Sequence, residues 1–327
     1  MGDIPPSTHP PSPPPPPLSP PLPATVLFSE PASQLPARLP SVREIESSTN
    51  VLKELFTKRV VRIGQHYVAK YGGNVAPIEG KNILLVRNFP VSESSLLTLD
   101  VVVIFARQHL KSLVPRVYAI YQRPRRKPSP PVTYIIMEYL HARPISEVWS
   151  TMGETEKLRA VDALRDSLQI LRSIPPPDYF GGLGMTELND EVFSAHGEPI
   201  RIRNGPFKTE SELIHAFILR YRAEGGARLR HKADYYHNIL PQVLQGNGKP
   251  VFTHGDLQPK NILIGSGGKV MIIDWAASGW YPIWWEYVII MEASDWEDDW
   301  HRYIPKWTSE FPNHFAWFHM IFSELWY

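Results

Sequence analysis

The chain has 327 residues and a formal net charge of +1, with 43% hydrophobic and 20% charged residues, the balance of a soluble globular protein. Near-neutrality gives no broad attraction to nucleic acid or an anionic membrane, and no run of 18 or more apolar residues offers a membrane span. The absence of cysteine removes disulfides, thiolate metal sites and cysteine nucleophiles.

Residues 1–40 hold 15 of the 34 prolines and three charges, Asp3, Glu30 and Arg38. A segment so poor in backbone donors reads as a disordered tail with polyproline II character. Pro13 to Pro17 and Pro20-Pro21 offer PxxP registers to an SH3- or WW-type domain, beside the plainer reading of a solvated extension. The segment lacks the basic start and unbroken apolar stretch of a secretory signal, so the expected location is cytoplasmic.

Order is expected from Ser41. A helix over Val42 to Phe56 is suggested by Ile45, Leu52, Leu55 and Phe56, followed by strands Arg59 to Ile63 and Tyr67 to Tyr71 around a Gly64-Gln65 turn. Pro77 opens a further helix. Val117 to Tyr121 and Thr133 to Met137 read as strands separated by a basic, proline-rich loop. Past Met137 the pattern turns helical: Ser146 to Trp149, Glu154 to Ile174, and Glu210 to Gln245 with a break at Gly225-Gly226. Two short strands, Ile262 to Ile264 and Val270 to Ile273, flank the turn Gly265 to Gly268. The outcome is α+β: a small β-rich lobe over residues 41–140 and a larger helical lobe over 141–327.

The chemistry concentrates in Thr253-His254-Gly255-Asp256-Leu257-Gln258-Pro259-Lys260-Asn261-Ile262-Leu263-Ile264 and Val270-Met271-Ile272-Ile273-Asp274-Trp275. Pairing of the two strands brings Asn261 and Asp274 together as oxygen ligands suited to Mg²⁺, which takes few protein ligands and completes its shell with water and phosphate. Asp256 lies on the loop before them, placed to orient a hydroxyl and accept its proton.

His-Gly-Asp-x-x-x-x-Asn followed by Ile-Asp-Trp resembles the catalytic and metal loops of the aminoglycoside phosphotransferase and choline kinase superfamily. The resemblance extends from about Arg59 to the C-terminus through Tyr67-Val68-Ala69-Lys70-Tyr71-Gly72, Ile135-Ile136-Met137-Glu138-Tyr139-Leu140 and Gly279-Trp280-Tyr281-Pro282 with Trp285-Glu286-Tyr287. It implies a two-lobed, protein-kinase-like fold and ATP- and Mg²⁺-dependent phosphoryl transfer to the hydroxyl of a small molecule. Carried over, Asp256 is the catalytic base and Asn261 and Asp274 the Mg²⁺ ligands. Lys70 meets the α/β-phosphates with Glu79 as its acidic partner, and main-chain groups of Glu138, Tyr139 and Leu140 hold the adenine. His254 becomes a brace for the loop.

Departures from that pattern matter. No GxGxxG loop precedes Lys70, and HRD, DFG and APE sequences are missing, which disfavours a protein kinase. His141-Ala142-Arg143 stands where the family often has a glycine. Gly181 to Gly184 reads as a turn. Asp295 to Trp300 is an acidic patch, either a receptor for a cationic acceptor or a helix with its tryptophans inside. Residues 87–106, with Pro90 and the β-prone run Val101 to Phe105, interrupt what would otherwise be one helix running from Val86 into Arg107. They read as a translated short intron, since Val86-Arg87 can be encoded by a donor-like GTAAG, or else as an insertion loop. Sequencing the transcript separates the two. Such an insert is expected to loosen the Lys70–Glu79 pair, leaving a catalytically inactive pseudokinase or nucleotide-binding scaffold as the alternative function.

Overall fold

The computed structural model describes residues 23–88, 111–125, 129–193, 204–294 and 296–326. The small lobe is built on a six-stranded sheet of order β1-β5-β6-β4-β3-β2. Its strands are β1 (Thr25–Ser29), β2 (Val51–Leu55), β3 (Lys58–Ile63), β4 (Tyr67–Gly72), β5 (Val117–Arg123) and β6 (Val132–Glu138), and every pairing is antiparallel. β6 lies between β4 and β5 and runs directly into the connection to the large lobe. The α+β, two-lobed arrangement expected from the sequence is therefore present.

Strand alternation gives the sheet two apolar faces. The inner face, with Ile120, Ile135 and Met137, packs on Ile83 and Val86 of helix α2 (Pro77–Asn88). The outer face, with Val61, Ala69, Tyr134 and Ile136, is covered by Ile45 of α1 (Val42–Glu46) and by Leu35 and Leu39.

That cover corrects two expectations. Order begins before Ser41, because the β-prone run Thr25–Ser29 pairs with the open edge of β5 and Glu30 continues the ladder to Tyr118 O at 2.9 Å. The PxxP registers within residues 1–22 lie outside the described residues. Nor does one helix fill Val42 to Phe56. A five-residue helix, closed by a capping box between Ser41 and Glu44, stops at Ser47, and Val51–Leu55 forms β2 instead. Ser47-Ser48-Thr49-Asn50 explains the stop, since short polar side chains compete for the backbone bonds a helix needs: Ser48 Oγ donates to Arg62 O at 3.0 Å.

The large lobe holds α3 (Glu154–Arg172), α4 (Glu210–Val243), α5 (Trp285–Glu292) and α6 (Pro312–Trp326) around a core dense in aromatic rings. α4 kinks where Gly226 adopts φ 53°, at the expected glycine pair. Its two halves are pinned to the C-terminal helix by Glu324, which accepts from Tyr221 (2.7 Å), Tyr236 (2.9 Å) and Lys232. Ala142–Pro144, the stretch without the family's glycine, forms a further strand, β7, that pairs with β9 (Ile262–Gly265). β9 pairs in turn with β10 (Val270–Ile272), and β8 (Val251–Thr253) pairs with β11 (Gly279–Tyr281).

The acidic patch divides. Asp295 lies outside the described residues, and Asp299 is engaged by Lys157 at 2.7 Å and Trp149 Nε1 at 2.8 Å, with Trp300 buried beneath. The interruption at 87–106 falls almost wholly on residues 89–110, outside the described residues, with α2 described as far as Asn88.

Truncating Ile45, which is wholly buried between α1 and the outer sheet face, should cost about 2–5 kcal/mol of folding stability. An Ile45→Ala midpoint in urea unchanged from wild type would show that this cover carries no weight.

Candidate active site

Between the lobes lies a cleft of about 550 Å³, within the range of small-molecule sites. Its inner end is polar. Lys70 on β4 and Glu79 on α2 are both buried, and Lys70 Nζ stands 2.9 Å from Glu79 Oε1 and 2.6 Å from Asp274 Oδ1. Burial works against the charge on Lys70, but the two carboxylates outweigh it and hold its pKa above the ordinary value. Burial likewise raises Glu79, against the pull of Lys70. The Lys70–Glu79 pair is thus formed with residues 87–106 in the chain, contrary to the expected loosening.

The strand pairing foreseen in the sequence joins the other two residues. Ile273 N donates to Asn261 O at 3.0 Å, at the end of the β9–β10 ladder. Asn261 Nδ2 donates to Asp256 Oδ2 and to Asp256 O, both at 2.8 Å, and Gln258 Nε2 donates to Asp256 Oδ1. Asp274 sits in the left-handed region at φ 65°, ψ 59°, a conformation costing a non-glycine residue on the order of 1–2 kcal/mol. Where sequence geometry aims it, the carboxylate meets Lys70 directly.

Whether these groups suit a divalent cation follows from their free atoms. With Nδ2 committed to Asp256, Asn261 is left presenting its carbonyl oxygen, and Asp274 has one oxygen beyond the one bonded to Lys70. Two hard oxygen donors, one just before β9 and one just after β10, fit Mg²⁺. Among the described residues no group of three or more His, Asp and Glu side chains gathers to hold a metal alone, so any cation here needs oxygens from a ligand or water.

The outer end of the cleft is apolar, with Val60, Val68, Met137, Leu263 and Ile273 facing inward. Glu138, Tyr139 and Leu140 border it, but two of their N–H groups serve the lobe itself: Glu138 N donates to Arg116 O and Tyr139 N to His66 O, each at 2.8 Å. Among the described residues the Leu140 N–H has no such partner. Arg62 lies over the Tyr139 ring, 4.0 Å from its centroid, and steadies the connection.

Several supporting residues escaped the sequence reading. Glu286, at the start of α5 and fully buried, accepts from His254 N at 2.8 Å and Gly255 N at 3.2 Å. Gly255 has φ +81°, and a Cβ there would lie 2.7 Å from Ala277 O, so glycine is required. His254 is a brace as expected: Nδ1 accepts from Asp256 N at 3.2 Å and Nε2 faces Ile273 O at 3.1 Å, which places the proton on Nε2. Asn82 of α2 donates to Trp275 O (2.9 Å) and Ser278 O (3.1 Å), tying the small lobe to the segment after Asp274. The spacing Asp274…Glu286 was visible, but only the fold turns Glu286 back onto the loop.

Asp190 adds a buried carboxyl beneath this segment, bonded by Val192 N (2.9 Å) and Tyr281 Oη (3.2 Å). Burial, offset in part by those bonds, pushes its pKa up to about 6.

Replacing Glu286 by Ala leaves two buried N–H groups without an acceptor, at about 1–3 kcal/mol each; urea unfolding should show the loss, and a variant as stable as wild type would remove the bracing role. For Asp190 the sign runs against high pH. The folded carboxyl keeps its proton to about pH 6, whereas the unfolded one releases it near pH 4, at about 3.9. Stability should therefore fall as pH rises between those values and then level off. Asp190→Asn should flatten that step in melting curves taken across the range.

A sequence model of the phosphotransferase enzyme family (APH) matches residues 79–311. No curated protein matches the chain. Among solved structures, a thermostable mutant of aminoglycoside phosphotransferase APH(4)-Ia in its apo form is similar at a TM-score of 0.48 and 15% identity, over 84% of this chain and 78% of that one. The GDP and kanamycin complex of APH(2")-IIIa is similar at 0.48 and 14% identity, over 85% of each chain. A ternary complex of APH(4)-Ia with AMP-PNP and hygromycin B is similar at 0.43 and 15% identity, over 84% and 78%. Since the matched residues run from Glu79 through the Asp256 loop and Asp274, and cover most of the large lobe, the chain belongs to the phosphotransferase enzyme family.

Proposed function

We propose that this chain is an ATP- and Mg²⁺-dependent small-molecule kinase that moves the γ-phosphoryl group to an acceptor hydroxyl. The observation that carries the reading is the convergence of Glu79 and Asp274 on Lys70, whose Nζ lies 2.9 Å from the first carboxylate and 2.6 Å from the second, at the polar end of an apolar-walled cleft and beside the Asp256–Asn261 loop. A phosphotransferase needs a cation to hold phosphates, oxygens for a metal, and a carboxylate facing the attacking hydroxyl. The family assignment supports the same chemistry.

In this reading the apolar end of the cleft takes the adenine, with Leu140 N–H as its main-chain donor. Lys70, oriented by Glu79, binds the α/β-phosphates. Asn261 Oδ1 and Asp274 hold Mg²⁺, which supplies neutralisation of the phosphate charge. Asp256, fixed through both carboxylate oxygens by Gln258 and Asn261, orients the acceptor hydroxyl. It takes the proton as the hydroxyl oxygen bonds to phosphorus and the bond to the leaving ADP breaks. Gln258 also borders a second cavity of about 190 Å³, walled by Trp296, Asp298, Trp300 and His301, which opens a route for the acceptor to Asp256 from the large lobe. A polar acceptor of modest size, an amino sugar, amino alcohol or sugar, suits that wall.

ADP release from the purified chain with Mg²⁺ and ATP, across a panel of such acceptors, tests the assignment. Acceptor-dependent turnover should drop by about 10²–10⁴ in Asp256→Ala, the range for losing a general base. An Asp256→Ala enzyme with near wild-type turnover would overturn the role given to this residue.

A further inference from the structure

The cleft has a roof that the sequence pattern left unexplained. Kinases that cover their phosphates with a glycine-rich loop do so with backbone N–H groups, and no such loop precedes Lys70 here. Its place is taken by the β2–β3 hairpin, from which Lys53, Lys58 and Val60 face the cleft.

Lys58 is the residue of interest. Side chains alternate along β3, so Lys58 and Val60 share the cleft face while Val61 is wholly buried on the other. Val60 pairs across the ladder with Lys70, and Lys58 with Gly72. Lys58 is thus the diagonal neighbour of Lys70 on one sheet face, about 7–8 Å away. Its cross-strand partner has no side chain, and the hairpin turn presses so close that a Cβ on Gly72 would lie 2.1 Å from Thr57 O. The ammonium is left to project over open cleft.

The charges nearby are unequally matched. Lys70 is bonded to two carboxylates. The hairpin's Glu54 pairs with Arg59 at 3.3 Å, and Lys58 has no carboxylate within ion-pair distance among the described residues. Lys58 therefore stands beside the Lys70 cluster without joining it in an ion pair, and its half-buried ammonium keeps its donors free for an anion in the cleft.

We propose that Lys58 is a second phosphate-binding lysine, which contacts the terminal phosphates of the nucleotide from the roof of the cleft in place of a glycine-rich loop. This rests on the kinase reading above. It also assigns Gly72 a purpose, since any side chain there would push the hairpin, and Lys58 with it, away from the phosphates.

Calorimetric binding of ATP and of adenosine to the full-length chain, with Mg²⁺ present, tests the proposal. Lys58→Met should weaken ATP by about tenfold or more, the worth of one charge-assisted contact, and leave adenosine within about twofold of wild type. Lys58→Arg, which keeps the charge, should restore most of the ATP affinity. ATP binding unchanged in Lys58→Met, or a parallel loss of ATP and adenosine, would overturn it. Wild-type chain that binds adenosine and ATP equally would also overturn it while leaving the nucleotide cleft standing. Wild-type chain that binds neither would bring down the kinase reading together with this one.

Discussion

The ammonium of Lys70 is where the two lobes meet in charge. It sits on a strand of the small lobe, is positioned by a glutamate from the small lobe's helix, and reaches an aspartate that belongs to the large lobe. Asn82 adds a second tie at this end, reaching across from α2 to the backbone after Asp274, and the Tyr139–Leu140 connection closes the far end. A buried cation held between two carboxylates is stable only as a set, because removing any member leaves a charge without compensation in a dry site. Sheet position, helix position and metal-loop position are therefore fixed by one another.

A second set of constraints holds the Asp256 loop from behind. Its carboxylate is aimed by Gln258 and Asn261, while its backbone hangs from Glu286, His254 and Ser278, which donates to His254 O at 2.9 Å. Arg172, at the end of α3, adds bonds to Phe252 O (3.1 Å) and Thr253 Oγ1 (2.8 Å) just upstream. Three backbone groups of the loop, His254 N, Gly255 N and His254 O, are thus held by side chains from outside it, the arrangement a site needs if its geometry is to survive thermal motion.

Much of this could be read from the sequence, and the reasons differ by residue. Asp256, Asn261 and Asp274 were legible because their spacing is local: five residues and a hairpin decide where they fall. Lys70 and Glu79 lie nine residues apart on adjoining elements, so they too were within reach. Glu286, Asn82 and Arg172 were not, since their partners are chosen by how distant segments fold back, and nothing in Trp-Glu-Tyr marks a carboxylate as a backbone acceptor. The misread helix at Val42 to Phe56 has another cause. Its apolar residues fit a helical stripe, but the decision lay with four short polar residues that favour local backbone bonds, and with an unpaired edge of β3 waiting for a strand.

The N-terminal strand has a consequence for how the molecule comes together. Thr25 pairs with Gln122, so completing the sheet edge requires closing a loop of about a hundred residues, whereas the β3–β4 hairpin closes across a three-residue gap. Loop-closure entropy places such long-range pairings late in assembly. During synthesis Thr25–Ser29 must therefore wait, solvent-exposed and strand-prone, until nearly a third of the polypeptide has followed them. The prolines crowded just ahead of Thr25 lack the N–H groups that a wandering strand would use to pair with another chain.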